Sequence, residues 1–594
     1  MADATYPHLG ALPQDGGVLF RVWAPKVDSI HLALDQCRET LPMDPTGNGY
    51  YERFVPDAAP GDRYRFLLDD ERLLPDPASR YQPEGVHGPS MVIDPTAYTW
   101  NDDAWTGIDR SDLVFYELHV GTFSAEGSFG AVEERLAHLR ELGVTALELM
   151  PVADFPGQWN WGYDHAALYA PSRAYGRPDD LRALVDAAHQ QGLAVFLDVI
   201  YNHLGPDGAY ITAYAPMFTD KHETPWGAAL NVDDMHSDGV RALLIDNALH
   251  WLREYRLDGL RLDATHAIKD DGPVHFLAEL SDAVRTRTSG WRRHLIAEDP
   301  RNISTVLLPR QAGGHGLDAI WTDDFHHQVR HMTAGDDESY YANYAGHRAP
   351  ELATTINDGW FYQGQQTPDG TPFGTDPSPI DHDQCVICIQ NHDQVGNRPE
   401  GGRLHHEIDA APYRAASALL LFVPHLPLLF MGQEWASTTP FQFFTDHHPE
   451  LGEQVSKGRR DEFENFSGFS GTVPDPQDAA TFHRSVLDWN EITEAPHAHM
   501  HALYRDLLTY RPQLEGSADA TPHGDYGLIV RRGAHALCVA LEADVTVPRP
   551  SGTVHLHTEE DAYAPSPTPP HITDESVHFS RSGAVLFAPD DRAS

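Results

Sequence analysis

Residues 193–200 read Leu193-Ala194-Val195-Phe196-Leu197-Asp198-Val199-Ile200. The run is apolar apart from Asp198 and shows no polar alternation. Such a strand is buried on both faces, as in a parallel sheet covered by helices. The residues before it supply a covering helix, with Leu181, Leu184, Val185 and Ala188 on one face and Gly192 as its stop. The unit is a helix followed by a buried strand, and the strand carries a carboxylate near its end.

The unit recurs in both directions. Apolar runs lie at LVFYELHV (113–120), VTALELMPV (144–152), DGLRLDA (258–264), HLIAED (294–299), LDAIWTDD (317–324), QCVICIQN (384–391) and LPLLFMG (426–432). Helical spacing precedes several of them: Val132, Leu136, Leu139 and Leu142; Leu244, Ala248, Trp251 and Tyr255; Phe276, Leu280 and Val284. Eight buried strands with helices between most of them predict a (β/α)8 TIM barrel with insertions over 96–515, with HMHALYRDLLTY (499–510) as its last helix. Upstream, GGVLFRVWAPKVDSIHLAL (16–34) and GDRYRFLLDDERLLPDP (61–77) predict an immunoglobulin-like N-terminal β-sandwich over 1–95. Downstream, GLIVRR, HALCVALEADVTV and SGAVLFA predict a small C-terminal β domain over 516–594. The expected fold class is therefore multidomain, with APSPTPP (564–570) as a surface loop.

Composition narrows the partners. The 594 residues exceed one ordinary core, and 41% hydrophobic with 10% aromatic content fits a folded protein. No run of about 18 apolar residues marks a membrane span. The start MADATYPHLG has neither the basic nor the apolar region of a secretory leader, and four cysteines are too few for a disulfide scaffold. A cytoplasmic location is expected. Asp and Glu number 88 against 42 Lys and Arg, a formal charge of −46, which repels nucleic acid and anionic membranes. Lysine occurs only at Lys26, Lys221, Lys269 and Lys457. A salty cytoplasm that screens like charges and an Arg-biased, Lys-poor genome both account for this, and activity from low to molar KCl separates them.

In a TIM barrel the chemistry sits where the strands end. Those ends present Asp198, Asp263, Glu298 and Asp393. Converging carboxylates suit glycoside cleavage, which needs a nucleophile or base and a protonated acid. Their rival use is to hold Mg²⁺ or Mn²⁺. Arg261 lies two residues before Asp263 on the same strand face, where a cation keeps a nucleophile ionised but repels a metal. His203 and His392 add donors for sugar hydroxyls, and Tyr163, Trp159 and Trp161 offer flat faces for a sugar ring.

These residues fall in DVIYNH (198–203), GLRLDATH (259–266), AEDP (297–300) and QNHDQVGNR (390–398), which resemble, in order, the four signature regions of the α-amylase superfamily, glycoside hydrolase family 13. The resemblance implies a retaining double displacement with Asp263 as nucleophile, Glu298 as general acid/base and Asp393 as transition-state stabiliser. Tyr163, Asp198, His203, Arg261 and His392 would surround the sugar at the cleavage site. FRVWAP resembles the β-sandwich module of glycogen-branching, debranching and trehalose-releasing members. YNHLGPDGAY (201–210), DATHAI (263–268), TDDFHH (322–327), LLFMGQEWASTTPFQFFTDHHPELG (428–452) and KGRRDEF (457–463) resemble the trehalose-releasing members. Those hydrolyse the α-1,4 bond next to a terminal trehalose. By the same resemblance, substrate contacts fall on Leu260, Ala264, Thr265 and His266, on Asp323, Asp324, Phe325, His326 and His327, and on Asn391, Gln394, Val395 and Gly396. The implied partners are an α-glucan substrate and an enzyme that makes its trehalose terminus. No cofactor or metal is expected. The Lys-His that follows the nucleophile in many amylases is replaced by Ala264-Thr265-His266-Ala267, which weakens a plain amylase reading.

Two other classes stay open: a branching or debranching enzyme of the superfamily, and a non-catalytic glycan-binding protein. Individual residues also have plainer readings. The strand-end carboxylates could be caps or ion pairs, and Asp198 could simply brace Arg261. Asn202 resembles a calcium ligand of many amylases but is expected to hydrogen-bond instead. Cys385 and Cys388 have metal-site spacing, yet a strand would point them to opposite faces, as core. Trp23 is expected in the sandwich core, Trp435 could be a glycan platform, and a lone histidine such as His165 carries little weight. FFTDHHPE (443–450) looks like a metal cluster, but adjacent His447 and His448 point apart. It is expected as a loop that shapes the pocket through Phe443, Phe444, Asp446 and His447.

Overall fold

The structure is a computed structural model that describes residues 8–224, 227–288, 290–463 and 473–589. The reading of the first residues as no secretory leader rests on a stretch that lies mostly outside them. The eight predicted apolar runs supply eight parallel strands: β1 Phe115–Leu118, β2 Ala146–Leu149, β3 Ala194–Val199, β4 Gly259–Leu262, β5 His294–Glu298, β6 Ala319–Trp321, β7 Cys385–Ile387 and β8 Leu426–Phe430. They close in chain order, with β8 pairing β1. The opening run is β3, and the helix predicted before it is α1, Pro178–Gln190.

The lumen is layered. Phe115, Ala146, Phe196, Ile296, Ala319, Trp321, Val386, Cys388 and Leu428 pack together as its apolar fill. Gly259 stands where any side chain would collide with Phe196, since an added Cβ would lie 2.2 Å from the Phe196 ring. Moving two residues along each strand keeps the same face. From this apolar layer the step reaches Glu117 on β1, Glu148 on β2, Asp198 on β3, Arg261 on β4 and Glu298 on β5. Intervening residues such as Leu147, Leu197, Leu260 and Ala297 join the shell between barrel and helices. Cys385 belongs to that shell and Cys388 to the lumen, and both are free and buried.

Before the barrel, two antiparallel sheets enclose Val18, Phe20, Leu32 and Phe66. One contains Gly17–Trp23 and Tyr50–Pro56, the other Ile30–Leu34 and Arg63–Leu68. Trp23 corrects an expectation. It lies outside the sandwich core and packs on Gly239 of helix α2 (Ser237–Glu254), while its Nε1 donates to Asn48 O. It is a bulky residue at a strand end, and burying it against the barrel joins the two units. After the barrel's last helix, His497–Tyr510, a five-stranded and a three-stranded sheet enclose Ile529, Cys538, Val577 and Phe587. The single helix expected across Val132–Leu142 is two short ones, Phe129–Glu133 and Leu136–Leu142. Among the described residues, no helix is long and apolar enough to cross a membrane.

Candidate active site

The polar ring on the lumen wall is linked by directional hydrogen bonds. Glu117 accepts from the His392 backbone N–H (2.8 Å) and pairs with His392 Nδ1. Tyr163 donates its one proton to Asp198 Oδ2 (2.6 Å), so His392 Nε2, 2.7 Å from the same hydroxyl, is the donor there. Arg261 Nη1 donates to Asp198 Oδ2 (2.7 Å) and Asp263 Oδ1 (2.8 Å), and Nη2 reaches Glu298 Oε2 (2.8 Å). The guanidinium lies over the Trp321 ring at 4.4 Å, a cation–π contact in a dry place.

The turn after β4 aims a further donor. Ala264 adopts the left-handed region (φ 41°), a conformation that costs a non-glycine residue roughly 1–3 kcal/mol. In return its N–H points at Glu298 Oε2, 2.8 Å away. Thr265 donates to the Glu298 carbonyl (2.8 Å) and so ties this turn to β5. Asp263 Oδ2 accepts from Asn202 Nδ2 (2.7 Å), and Asn397 Nδ2 donates to Asp393 Oδ1 (2.5 Å).

These surroundings push the two central carboxyls apart. Burial acts to raise Asp263, but Arg261, His203 and the Asn202 bond outweigh it and hold the group below its usual value. Burial raises Glu298, and although Arg261 opposes this, Asp263 and Asp393 add to it, so Glu298 is pushed up to about 8. At neutral pH the site holds an ionised Asp263 beside a protonated Glu298. Glu298 Oε2 already accepts two donors, which leaves Oε1 to carry the proton.

A cleft of about 720 Å³ opens above these groups. Its walls include Trp161, Tyr163, His203, Arg261, Asp263, Ala264, His266, Glu298, His392 and Asp393. Other residues singled out from sequence lie elsewhere. Leu260, Phe325 and Val395 are in the apolar shell. Asn391 is buried and caps a short helix by accepting from Gln394 N (2.8 Å). Gln394 Oε1 accepts from Tyr340 and Tyr341. Gly396 is a close backbone approach, because an added Cβ would lie 2.0 Å from Trp161. Asp324 accepts from Asn302, Tyr344 and the Phe361 and Tyr362 N–H groups, which occupies it as a loop anchor. Asp323, pushed up to about 7 by burial and then by Asp393 and Asp324, is half-buried beside it. His326 and His327 are buried and face Tyr340, Tyr341 and Tyr344 rather than the cleft.

Comparison with known proteins follows the same lines. Residues 97–224 match the family described as Alpha amylase, catalytic domain, and residues 8–97 match Carbohydrate-binding module 48 (Isoamylase N-terminal domain). A Saccharolobus solfataricus protein described as malto-oligosyltrehalose trehalohydrolase is 37% identical, over 96% of this chain and 98% of that one. A Deinococcus radiodurans protein of the same description is 48% identical over 85% and 82%. The chain belongs to the malto-oligosyltrehalose trehalohydrolase family. A crystal structure titled as a putative alpha amylase from Salmonella typhimurium superposes with a TM-score of 0.89 at 38% identity, covering 98% of this chain and 99% of that one. A Group B Streptococcus pullulanase, at 18% identity and a TM-score of 0.74, shares the fold. This member of the family is a glycoside hydrolase.

Within this trehalohydrolase-family chain, the loop FFTDHHPE divides its labour. Phe443 lines the cleft, packing edge-on to Trp161 and under Arg459, while Phe444 is fully buried core. Asp446 Oδ2 accepts from Gln158 N (2.8 Å), and His447 Nε2 lies 3.3 Å from Asp164. Arg459 and Glu462, from helix α3 (Pro449–Phe463), also reach the cleft, and sequence reasoning missed them because nothing in a solvated charge pattern tells a pocket wall from an open face. Trp435 is buried core, with Nε1 on Glu491. His165 is buried next to His203.

Asn202 has no amide atom to spare. Nδ2 is committed to Asp263, and Oδ1 lies 2.6 Å from His203 Nδ1. Dialysis against EDTA is therefore expected to leave turnover at its starting value. A loss that added Ca²⁺ restores would overturn this.

Proposed function

We propose that this protein hydrolyses the α-1,4-glucosidic bond next to the terminal trehalose of a malto-oligosyltrehalose, releasing trehalose and a shortened maltodextrin. The observation that carries the reading is the opposed pair at the cleft floor: Asp263 is kept ionised by Arg261 and its other partners against its burial, and Glu298 is kept protonated by burial and the neighbouring carboxylates against the pull of Arg261. Its specificity rests on relatives of that description that span the chain.

The reaction divides into two displacements. Asp263 attacks the anomeric carbon while Glu298 gives its proton to the glycosidic oxygen, and the trehalose leaves. Glu298, now a carboxylate, takes a proton from water, which releases the sugar from Asp263 with retention. A retaining enzyme needs its two carboxyls about 5 Å apart, and one guanidinium bonded to both suits that spacing. Asp393, held by Asn397, would stabilise the positive charge that develops on the sugar ring. Tyr163, stacked on His392, offers its ring as a floor for that sugar.

The substrate's trehalose end requires a partner enzyme that forms it. The free cysteines and acidic composition agree with a cytoplasmic setting for the pair. Maltotriosyltrehalose is expected to give trehalose and maltotriose on product chromatography. Maltose-series products alone, or chain transfer on amylopectin, would assign the site to a different glucan activity.

A further inference from the structure

Arg459 reaches the cleft from an element that carries none of the catalytic carboxyls. It belongs to helix α3, which follows β8, and it lines the cleft although only 9% of its side chain is exposed. Its Nη2 donates to the Gly396 carbonyl (2.5 Å), at the end of the short helix His392–Gly396 that carries Asp393. Its Nη1 donates to Glu462 Oε2 (2.9 Å) and to Asn397 Oδ1 (3.3 Å). The Phe443 and Phe463 rings pack on the guanidinium, at 5.2 and 4.5 Å. Burial lowers the pKa of this arginine, and Glu462 and then Asp393 act the other way, so the Asp393 charge is felt there.

The bond to Asn397 decides what that amide can do. Asn397 lies four residues after Asp393, and its side chain stands between Asp393 and Arg459. A carboxylate only accepts and a guanidinium only donates. One orientation of the amide satisfies both: Oδ1 toward Arg459, and Nδ2 toward Asp393 Oδ1 at 2.5 Å. The opposite orientation sets the NH₂ against the guanidinium and the oxygen against the carboxylate. The short bond to the Gly396 backbone anchors the arginine, and the arginine fixes which face of the amide Asp393 meets. A forked cation suits this task, since its two terminal nitrogens address two acceptors of one turn at once.

We propose that Arg459 is a positioning residue, which holds the Asn397 amide with its NH₂ toward Asp393 and so fixes the carboxylate that steadies the charged sugar. This rests on the reading of Asp393 as the transition-state stabiliser. A carboxylate fixed in advance loses nothing to reorientation as the charge develops. The segment after β8 then grips the Asp393 turn at both ends. Phe443 packs edge-on to Trp161, and Trp161 packs edge-on to His392, just before Asp393. Arg459 holds Gly396 and Asn397, just after it. A change in that segment reaches Asp393 without touching it.

A double-mutant cycle on kcat tests this, because an arginine that only supports the fold adds its cost whatever stands at position 397. Arg459→Met keeps the stem and loses both donors. Its kcat on maltotriosyltrehalose should fall at least about fivefold, with KM within about threefold of the wild type. In an Asn397→Ala enzyme, which has no amide left to orient, the same change should cost less than about twofold. Arg459→Lys keeps the charge, but a compact ammonium does not hold both acceptors. It should also lower kcat at least about threefold beside Asn397, and less than about twofold beside alanine. If Arg459→Met does not fold, Arg459→Lys completes the cycle. A wild-type kcat in Arg459→Met, a loss confined to KM, or equal losses with and without the Asn397 amide would each overturn the proposal. An Asp393→Asn control that kept kcat would fault the reading of Asp393 itself, whereas an additive cycle faults only the arginine's part. The cycle is read on whichever α-glucan the wild type cleaves, so maltose-series products alone would defeat the proposed function and leave this inference to be judged separately.

Discussion

Asp263→Asn is expected to reduce kcat by about 10⁴-fold or more while substrate still binds. An amide oxygen is a poor nucleophile, and the first displacement has no other ionised group in place. Asp393 is held by Asn397 and Asp198 by Tyr163 and Arg261, so neither can move to substitute. The change also disturbs the fold locally. Both oxygens of Asp263 accept hydrogen bonds, from Arg261 Nη1 and from Asn202 Nδ2. An amide must set its NH₂ against one of these donors, and the arginine's charge favours the oxygen on its side. The Asn202 amide is then opposed by another donor, at a cost of about 1–3 kcal/mol for an unmade buried bond. Thermal unfolding should therefore start earlier in this variant. Calorimetric titration with maltotriosyltrehalose should still show binding. Turnover within tenfold of the wild type would remove Asp263 from the nucleophile's role.

The residues that carry this prediction were legible in the sequence because they end apolar strands. A run such as LAVFLDVI can only be a doubly buried strand, and its length fixes where Asp198 emerges. Two glutamates of the same ring were legible in principle and passed over. Phe115-Tyr116-Glu117-Leu118 and Ala146-Leu147-Glu148-Leu149 each bury a glutamate inside a strand without polar alternation. That signal says the residue faces something other than oil, since a lone buried charge is costly. Other features have no local signature. Trp321 lies in an apolar strand like any core residue, and only the closed barrel places it under Arg261. Trp23 shares the Leu19 and Arg21 face of its strand, opposite Val18, Phe20 and Val22, and only the docking of α2 buries it there. His326 and His327 follow a strand end, where a site is expected, but helix Asp324–Ala334 winds them in toward three tyrosines.

Glu298→Gln should separate the acid's role from the nucleophile's. In the wild type Glu298 must enter the reaction protonated, and its value is raised from the ordinary carboxylate range to about 8. The protonated form is thus complete well below that pH and is lost as the pH rises through it. The kcat/KM profile should accordingly fall on its alkaline side near pH 8. Glutamine has no proton to give and nothing to titrate there. Its kcat on maltotriosyltrehalose should drop roughly 10²–10⁴-fold, and that alkaline limb should vanish. Unlike Asp263→Asn, this change fits the surrounding donors. Glu298 Oε2 accepts from Arg261 and Ala264, and the amide oxygen can take that place while the NH₂ takes the place of the protonated Oε1. Stability should stay near that of the wild type. A glycosyl fluoride departs without protonation, so its first displacement by the variant should recover most of the lost rate. If the fluoride is cleaved as poorly as the natural substrate, or the alkaline limb persists, the proton comes from another group.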